Sequence, residues 1–225
     1  LSYLFVAAAA LGMVACNGNK PGYVITGTVE GAADGDTVFL QEVVGRQLSK
    51  LDTAIITKGT FTFEGVQDSA VNRYITSGKG NEALLIDFFL ENGKINIALT
   101  RDNDSATGTA NNDAYQEIRN KINALNQKAT PLYESMRSAD ITDEQKEANM
   151  KELEKLEEEL GQVYKEGIEK NITNPVGIHL FKSNYYNMTT AENDALLQQI
   201  PAQFQNDETI VKIKEMTEKQ KKTAV

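Results

Sequence analysis

Cysteine and histidine are nearly absent from this 225-residue chain: Cys16 and His179 stand alone. One cysteine excludes an internal disulfide, a thiolate zinc site and a Cys-x-x-Cys redox pair. One histidine excludes histidine-rich metal sites and leaves a Ser-His-Asp arrangement only through His179. Basic charge is also short. Lys and Arg total 23 against 32 Asp and Glu, a net charge of −9. Wrapping a polyphosphate needs clustered cations, so nucleic acid is excluded as a partner. Adsorption to an anionic membrane surface by charge is excluded on the same ground. Long hydrophobic runs are missing too. The apolar stretch Leu4–Val14, LFVAAAALGMV, is too short to span a bilayer. What remains, 40% hydrophobic and 24% charged, is ordinary for a globular protein of one large domain or two modest ones.

The apolar stretch has signal-peptide length and ends at Met13-Val14-Ala15-Cys16, followed by the polar, turn-rich Asn17-Gly18-Asn19-Lys20-Pro21-Gly22. This border resembles a bacterial lipobox, with the small Ala15 before the cysteine and Met13 where Leu is usual. The resemblance implies that Cys16 receives a diacylglyceryl thioether and becomes the mature N-terminus. Residues 1–15 are then read as a signal peptide lacking its basic start, and residues 16–22 as a lipidated linker. The membrane is thus an expected partner, held through acyl chains on Cys16. Surface-exported lipoproteins tend to carry an acidic cluster after the cysteine, and none follows Cys16, so the resemblance implies a periplasm-facing position in the cell envelope, at the outer membrane.

From Tyr23 the pattern alternates with period two, the mark of half-buried strands. Tyr23–Val29, Thr37–Leu40, Asp52–Ile56, Thr60–Glu64, Val71–Ser77, Ala83–Leu90 and Lys94–Leu99 read as strands separated by Gly, Asp and Asn turns. Asn92-Gly93 predicts a hairpin between the last two, because both residues tolerate positive φ. About seven short strands over residues 23–109 predict an antiparallel β-sandwich or barrel. Phe61 and Phe63 share a strand face and are expected in its core, Gly59 in a turn, and Asp52 at a strand start.

The ordered set Ile25-x-Gly27, Val38-x-Leu40, Asp52-Thr53-Ala54, Gly59-x-Phe61-x-Phe63-x-Gly65 and Phe89-Leu90-Glu91-x-Gly93 resembles the domain of unknown function DUF4369. That family is typical of Bacteroidetes lipoproteins and has no established catalytic residues, so none are carried over. The resemblance spans roughly residues 23 to 100.

Residues 110–225 read as helical, giving an α+β chain with the sheet region first. Asn111-Asn112-Asp113 offers capping residues, and Tyr115, Ile118, Ile122, Leu125, Ala129, Leu132 and Met136 form an amphipathic stripe in which Pro131 should kink or interrupt the helix. Thr142-Asp143-Glu144-Gln145 is a capping box opening a second stripe, Met150, Leu153, Leu156, Leu160 and Val163. Together they predict a helical hairpin. Pro175 suits a helix start, Thr189–Glu192 is another capping box, and a last helix is expected from Glu208 to about Lys221. The run Glu152, Glu154, Glu157, Glu158 and Glu159 reads as a solvated helix face.

Among candidate chemical groups, His179 sits beside apolar residues and reads as a core or groove histidine. Ser183, one helical turn away, makes no nucleophile arrangement without an oriented acid and an oxyanion hole. Tyr185 and Tyr186 are read as packing residues able to offer aromatic contacts. Abundant Asp and Glu alone do not make a hydrolase. No catalytic residue, metal ligand or cofactor site is expected. The Asn174-Pro175-x-Gly177 turn, the Ile200-Pro201 step and the Lys-rich exit resemble the link to a C-terminal thioredoxin-like domain in TlpA-type thiol–disulfide oxidoreductases. The resemblance implies a non-catalytic N-terminal portion of such an enzyme, tethering or presenting partners to a redox domain beyond Val225. The alternative is a stand-alone envelope lipoprotein that binds peptide, glycan or protein.

Overall fold

The computed structural model describes residues 22–78 and 83–223; Cys16, the signal-like run before it and most of the expected linker lie outside them. Eight strands come first: β1 (Tyr23–Val29), β2 (Thr37–Val44), β3 (Gln47–Ile55), β4 (Phe61–Gly65), β5 (Val71–Ser77), β6 (Leu84–Leu90), β7 (Gly93–Leu99) and β8 (Ser105–Thr107). They form two open four-stranded sheets, ordered β4-β1-β7-β8 and β3-β2-β5-β6. Five helices follow: α1 (Ala110–Met136), α2 (Asp143–Asn171), α3 (Pro175–Asn184), α4 (Thr190–Leu197) and α5 (Glu208–Thr223). The class is α+β, and the sheets do not close into a barrel.

Alternation puts Ile25, Val38, Phe61, Phe63, Ile75, Ile86, Phe88, Ile95 and Leu99 between the sheets, all essentially without solvent contact. Each such side chain contributes about 1.5–3 kcal/mol by leaving water. Phe61 and Phe63 meet edge to face at 5.7 Å. Gly59 occupies a left-handed turn, φ +73, whose N–H and that of Lys58 donate to the Asp34 carboxylate.

Several expectations are corrected. Asn92-Gly93 does not close a hairpin, since β6 pairs with β5 while β7 lies in the other sheet. The Asn92 side chain instead clasps Gln67, and the Gly93 N–H donates to the Gly22 carbonyl. β7 then runs parallel to β1 from Tyr23↔Gly93 to Val29↔Leu99, so the first sheet is mixed rather than antiparallel. β3 begins at Gln47, and Asp52 lies inside it rather than at its start. A bulge opposite Leu40–Gln41 and the Lys50 ammonium, set over the Phe39 ring, guard this exposed sheet edge against pairing with other chains.

In the helical half the two capping boxes form as expected, Thr142 with Gln145 and Thr189 with Glu192. The α1 cap falls at Thr109 rather than within Asn111–Asp113, and the Thr109 side chain accepts from no backbone N–H of the helix. The helix also runs unbroken through Pro131, which lies on an exposed stretch of α1. A second core gathers Phe89, Tyr115, Ile118, Ile168, Ile172, Val176, Leu180, Phe181, Leu196, Ile200, Ile210 and Ile213. Ion pairs Lys165–Glu192 and Lys182–Asp207 tie α4 to α2 and the α5 entry to α3.

Gly161 sits in the exposed middle of α2, with open space where a Cβ would go. Gly161→Ala is expected to stabilise the protein by about 0.5–1 kcal/mol, since alanine loses less backbone freedom on folding. A thermal melt at or below the parent's would refute this.

Candidate functional site at the sheet–helix junction

The two cores meet on β6. Its inward residues Ile86, Phe88 and Leu90 belong to the sandwich, while Phe89 turns outward into the helical core. β6 is a sheet edge, so its outer backbone groups need partners. Asn112 of α1 supplies them. The Phe89 N–H donates to Asn112 Oδ1 at 2.9 Å, and Asn112 Nδ2 donates to the Phe89 carbonyl at 2.7 Å and to Thr109 Oγ1 at 2.8 Å. The carboxamide thus imitates a neighbouring strand. Glu91 extends the junction by accepting from the Asn111 backbone and side chain.

Asp87, also outward-facing, is the electrostatic centre. Tyr115 Oη donates to its Oδ2 at 2.8 Å and Asn72 Nδ2 at 3.4 Å. Arg119 Nη1 donates to the Asp87 carbonyl at 3.2 Å, while Nη2 pairs with Asp104 Oδ2 at 2.5 Å. His179 Nε2 stands 3.7 Å from Asp87 Oδ2. The rings of Phe89, Tyr115 and His179 are mutually edge to face, with centroids 5.4–5.8 Å apart. Strand β6 and helices α1 and α3 therefore contribute one residue each to a small aromatic triangle over a carboxylate.

Burial, reinforced by the Asp87 charge, pushes the Tyr115 phenol well above its ordinary range, so it remains a hydrogen-bond donor. Burial lowers His179 below its ordinary value of 6.5; the Asp87 carboxylate opposes that shift and Lys182 adds to it. His179 is therefore neutral in the folded protein at pH 7. Its pKa is lower folded than unfolded, so the stability it confers is complete above pH 6.5 and is lost as pH falls towards the folded value. His179→Phe keeps a ring in place but removes the proton site. Urea unfolding from pH 7 downward should show a shallower loss of stability in this variant than in the parent. Superimposable profiles would sink the assignment.

The arrangement can hold a proton. Among the described residues no hydroxyl or thiol bonds to the His179 ring, and Ser183 Oγ donates to the His179 carbonyl instead. Also among the described residues, no group of three His, Cys, Asp or Glu side chains is placed to hold a metal, and no helix is long and apolar enough to cross a membrane. Tyr185 packs against the helical core and meets Tyr186 edge to face at 5.9 Å, leaving Tyr186 exposed. The Glu152–Glu159 run is solvent-facing, as expected.

Asp87, Asn72, Arg119 and Asn112 escaped the sequence reading. The signal was there in part: Phe88-Phe89-Leu90 breaks alternation, which marks a strand buried on both faces. Asn112 has a residue type that suits a helix cap, yet it clamps β6.

No curated protein and no solved structure matches this chain. The family model of the domain of unknown function DUF4369 matches residues 23–115, reaching past the expected limit near residue 100 to take in Asn112 and Tyr115. The sandwich, together with the first turns of α1 that close its β6 edge, is a DUF4369 domain.

Proposed function

We propose that this chain is the non-catalytic, lipid-anchored portion of an envelope thiol–disulfide oxidoreductase. Cys16 holds it to the membrane, and the DUF4369 domain with its helical layer presents a thioredoxin-like domain to partners. The observation that carries the reading is the DUF4369 domain at residues 23–115, set directly behind the lipobox-like border at Cys16. The Asn112 clamp and the Phe89–Tyr115–His179 triangle support it, because they make the helices a stiff continuation of the sandwich rather than a loose tether. With Cys16 alkylated, this stretch has no thiol for exchange.

Two measurements test the parts separately. Intact-mass analysis of membrane-extracted protein should find Cys16 N-terminal and acylated; a free Cys16 thiol removes the anchor. The complete reading frame should continue into a domain bearing Cys-x-x-Cys; a stop codon straight after Val225 removes the redox link. A second reading, an envelope lipoprotein that binds a ligand itself, is favoured by one observation, a polar groove between α1 and β8.

A further inference from the structure

The groove is a depression of about 410 Å³ walled by α1 on one side and the β8 edge on the other. Gln116, Asn120, Asn123 and Gln127 line the helical wall. Their spacing of four, three and four places them on one helix face, a row about 16 Å long. Asn103, Ser105 and Thr107 line the strand side. The only carboxylate in the lining, Asp104, is paired with Arg119. The lining thus carries no unpaired charge, and every residue in it but Ala124 bears a hydrogen-bonding group set on carbon stems that make up much of the wall.

Part of this wall is fixed in place. Gln116 is buried; its Oε1 accepts from the Ala106 N–H at 2.9 Å and its Nε2 donates to Asn120 Oδ1 at 2.8 Å. Asn120 is therefore held with its own amide group left to donate. Among the described residues, no side chain or backbone group bonds the carboxamides of Asn103, Asn123 and Gln127. A carboxamide both donates and accepts, so a row of them suits a ligand whose groups do the same.

We infer that the α1–β8 groove is a binding site for a neutral oligosaccharide, whose hydroxyls pair with the carboxamide row. The inference rests on the second reading above, that the chain binds a ligand itself. An extended peptide fits less well, because strand addition needs a free sheet edge and pockets for alternate side chains. Gln116 already occupies the outward Ala106 N–H, and the lining offers no apolar pocket. A charged ligand would find no counter-charge.

The test is a titration of the full chain in detergent micelles, followed through its side-chain amide NMR signals. Cellotetraose, maltotetraose, N-acetylchitotetraose and tetra-alanine are the probes, each taken to roughly 10 mM so that millimolar binding is visible. The expected result is a saturable shift of the Gln116, Asn120, Asn123 and Gln127 signals with at least one sugar. The double variant Asn123→Ala, Gln127→Ala, altering only unpartnered exposed or half-exposed groups, should weaken that sugar about tenfold with its melting temperature unchanged. Response to tetra-alanine alone overturns the saccharide assignment and leaves the binding reading standing. Silence to all four probes overturns the saccharide site and removes the groove's support for the binding reading, whereas a sugar response that the double variant does not weaken overturns the groove assignment alone and leaves the binding reading standing.

Discussion

Asn112→Ala is expected to lower the unfolding free energy by about 2–4 kcal/mol, because it strands two buried backbone groups at once. Phe89 is 1% exposed, and both its N–H and its carbonyl bond only to this carboxamide on that side. An unsatisfied buried donor or acceptor costs about 1–3 kcal/mol, and Asn112 is itself 1% exposed, so bulk solvent does not reach these groups. The melting temperature should fall on the order of 10 °C for a chain of this size. Asn112→Asp sharpens the point. It keeps an oxygen for the Phe89 N–H but sets a second oxygen against the Phe89 carbonyl, so it should also be destabilised, and more so as the new carboxylate ionises with rising pH. Equilibrium urea unfolding reads both variants. A loss below about 1 kcal/mol for the alanine variant would mean the clamp is ornamental and the helices dock by apolar contact alone.

Gly177→Ala should cost at least about 3 kcal/mol, beyond the common range for an added methylene in a packed core. Gly177 lies in the first turn of α3, where a Cβ would come within 2.1 Å of the Asn171 carbonyl carbon and oxygen and 2.4 Å of the Ile172 nitrogen. Backbone cannot swing aside as a side chain can. The corner is also fastened: Asn174 N–H donates to the Asn171 carbonyl, Asn174 Oδ1 caps Val176 and Gly177, and Asn171 Nδ2 returns to the Gly167 carbonyl. Relieving the clash means tilting α3, which carries His179 and Phe181 into the second core. The variant should therefore lose both stability and the near-ultraviolet signal of the Tyr115 environment. The Asn174-Pro175-x-Gly177 turn noticed in the sequence is thus a close-packed corner. Native-like stability in Gly177→Ala would refute that account, and Gly161→Ala supplies the control for alanine in an open helix.

Sequence was informative wherever structure is local. Thr142 with Gln145 and Thr189 with Glu192 are three residues apart, so each capping box can be read from its own four residues. β1, β4 and β7 were legible because each buries one face, and period two records which side chains point inward. Period two does not record which strand lies alongside. Hence Asn92-Gly93 carries the signature of a hairpin although the chain crosses there to the facing sheet. The first half of β3 buries neither face, and β8 has only three residues, so neither left a pattern to find. The junction was illegible for a different reason. Asp87, Tyr115 and His179 arrive from a strand and two helices, and no short-range pattern links them.

One consequence of the β1 position is mechanical. β1 begins at Tyr23, just after the stretch that leads back to Cys16, and it is bonded on both flanks, antiparallel to β4 and parallel to β7. Tension drawn through that stretch pulls along β1 lengthwise, while its hydrogen bonds lie across the direction of pull. They are loaded in shear and must yield together, where a hairpin pulled apart at its open end would unzip bond by bond. Flanked on both sides within its sheet, the first strand of this domain is the one best placed to hold a load.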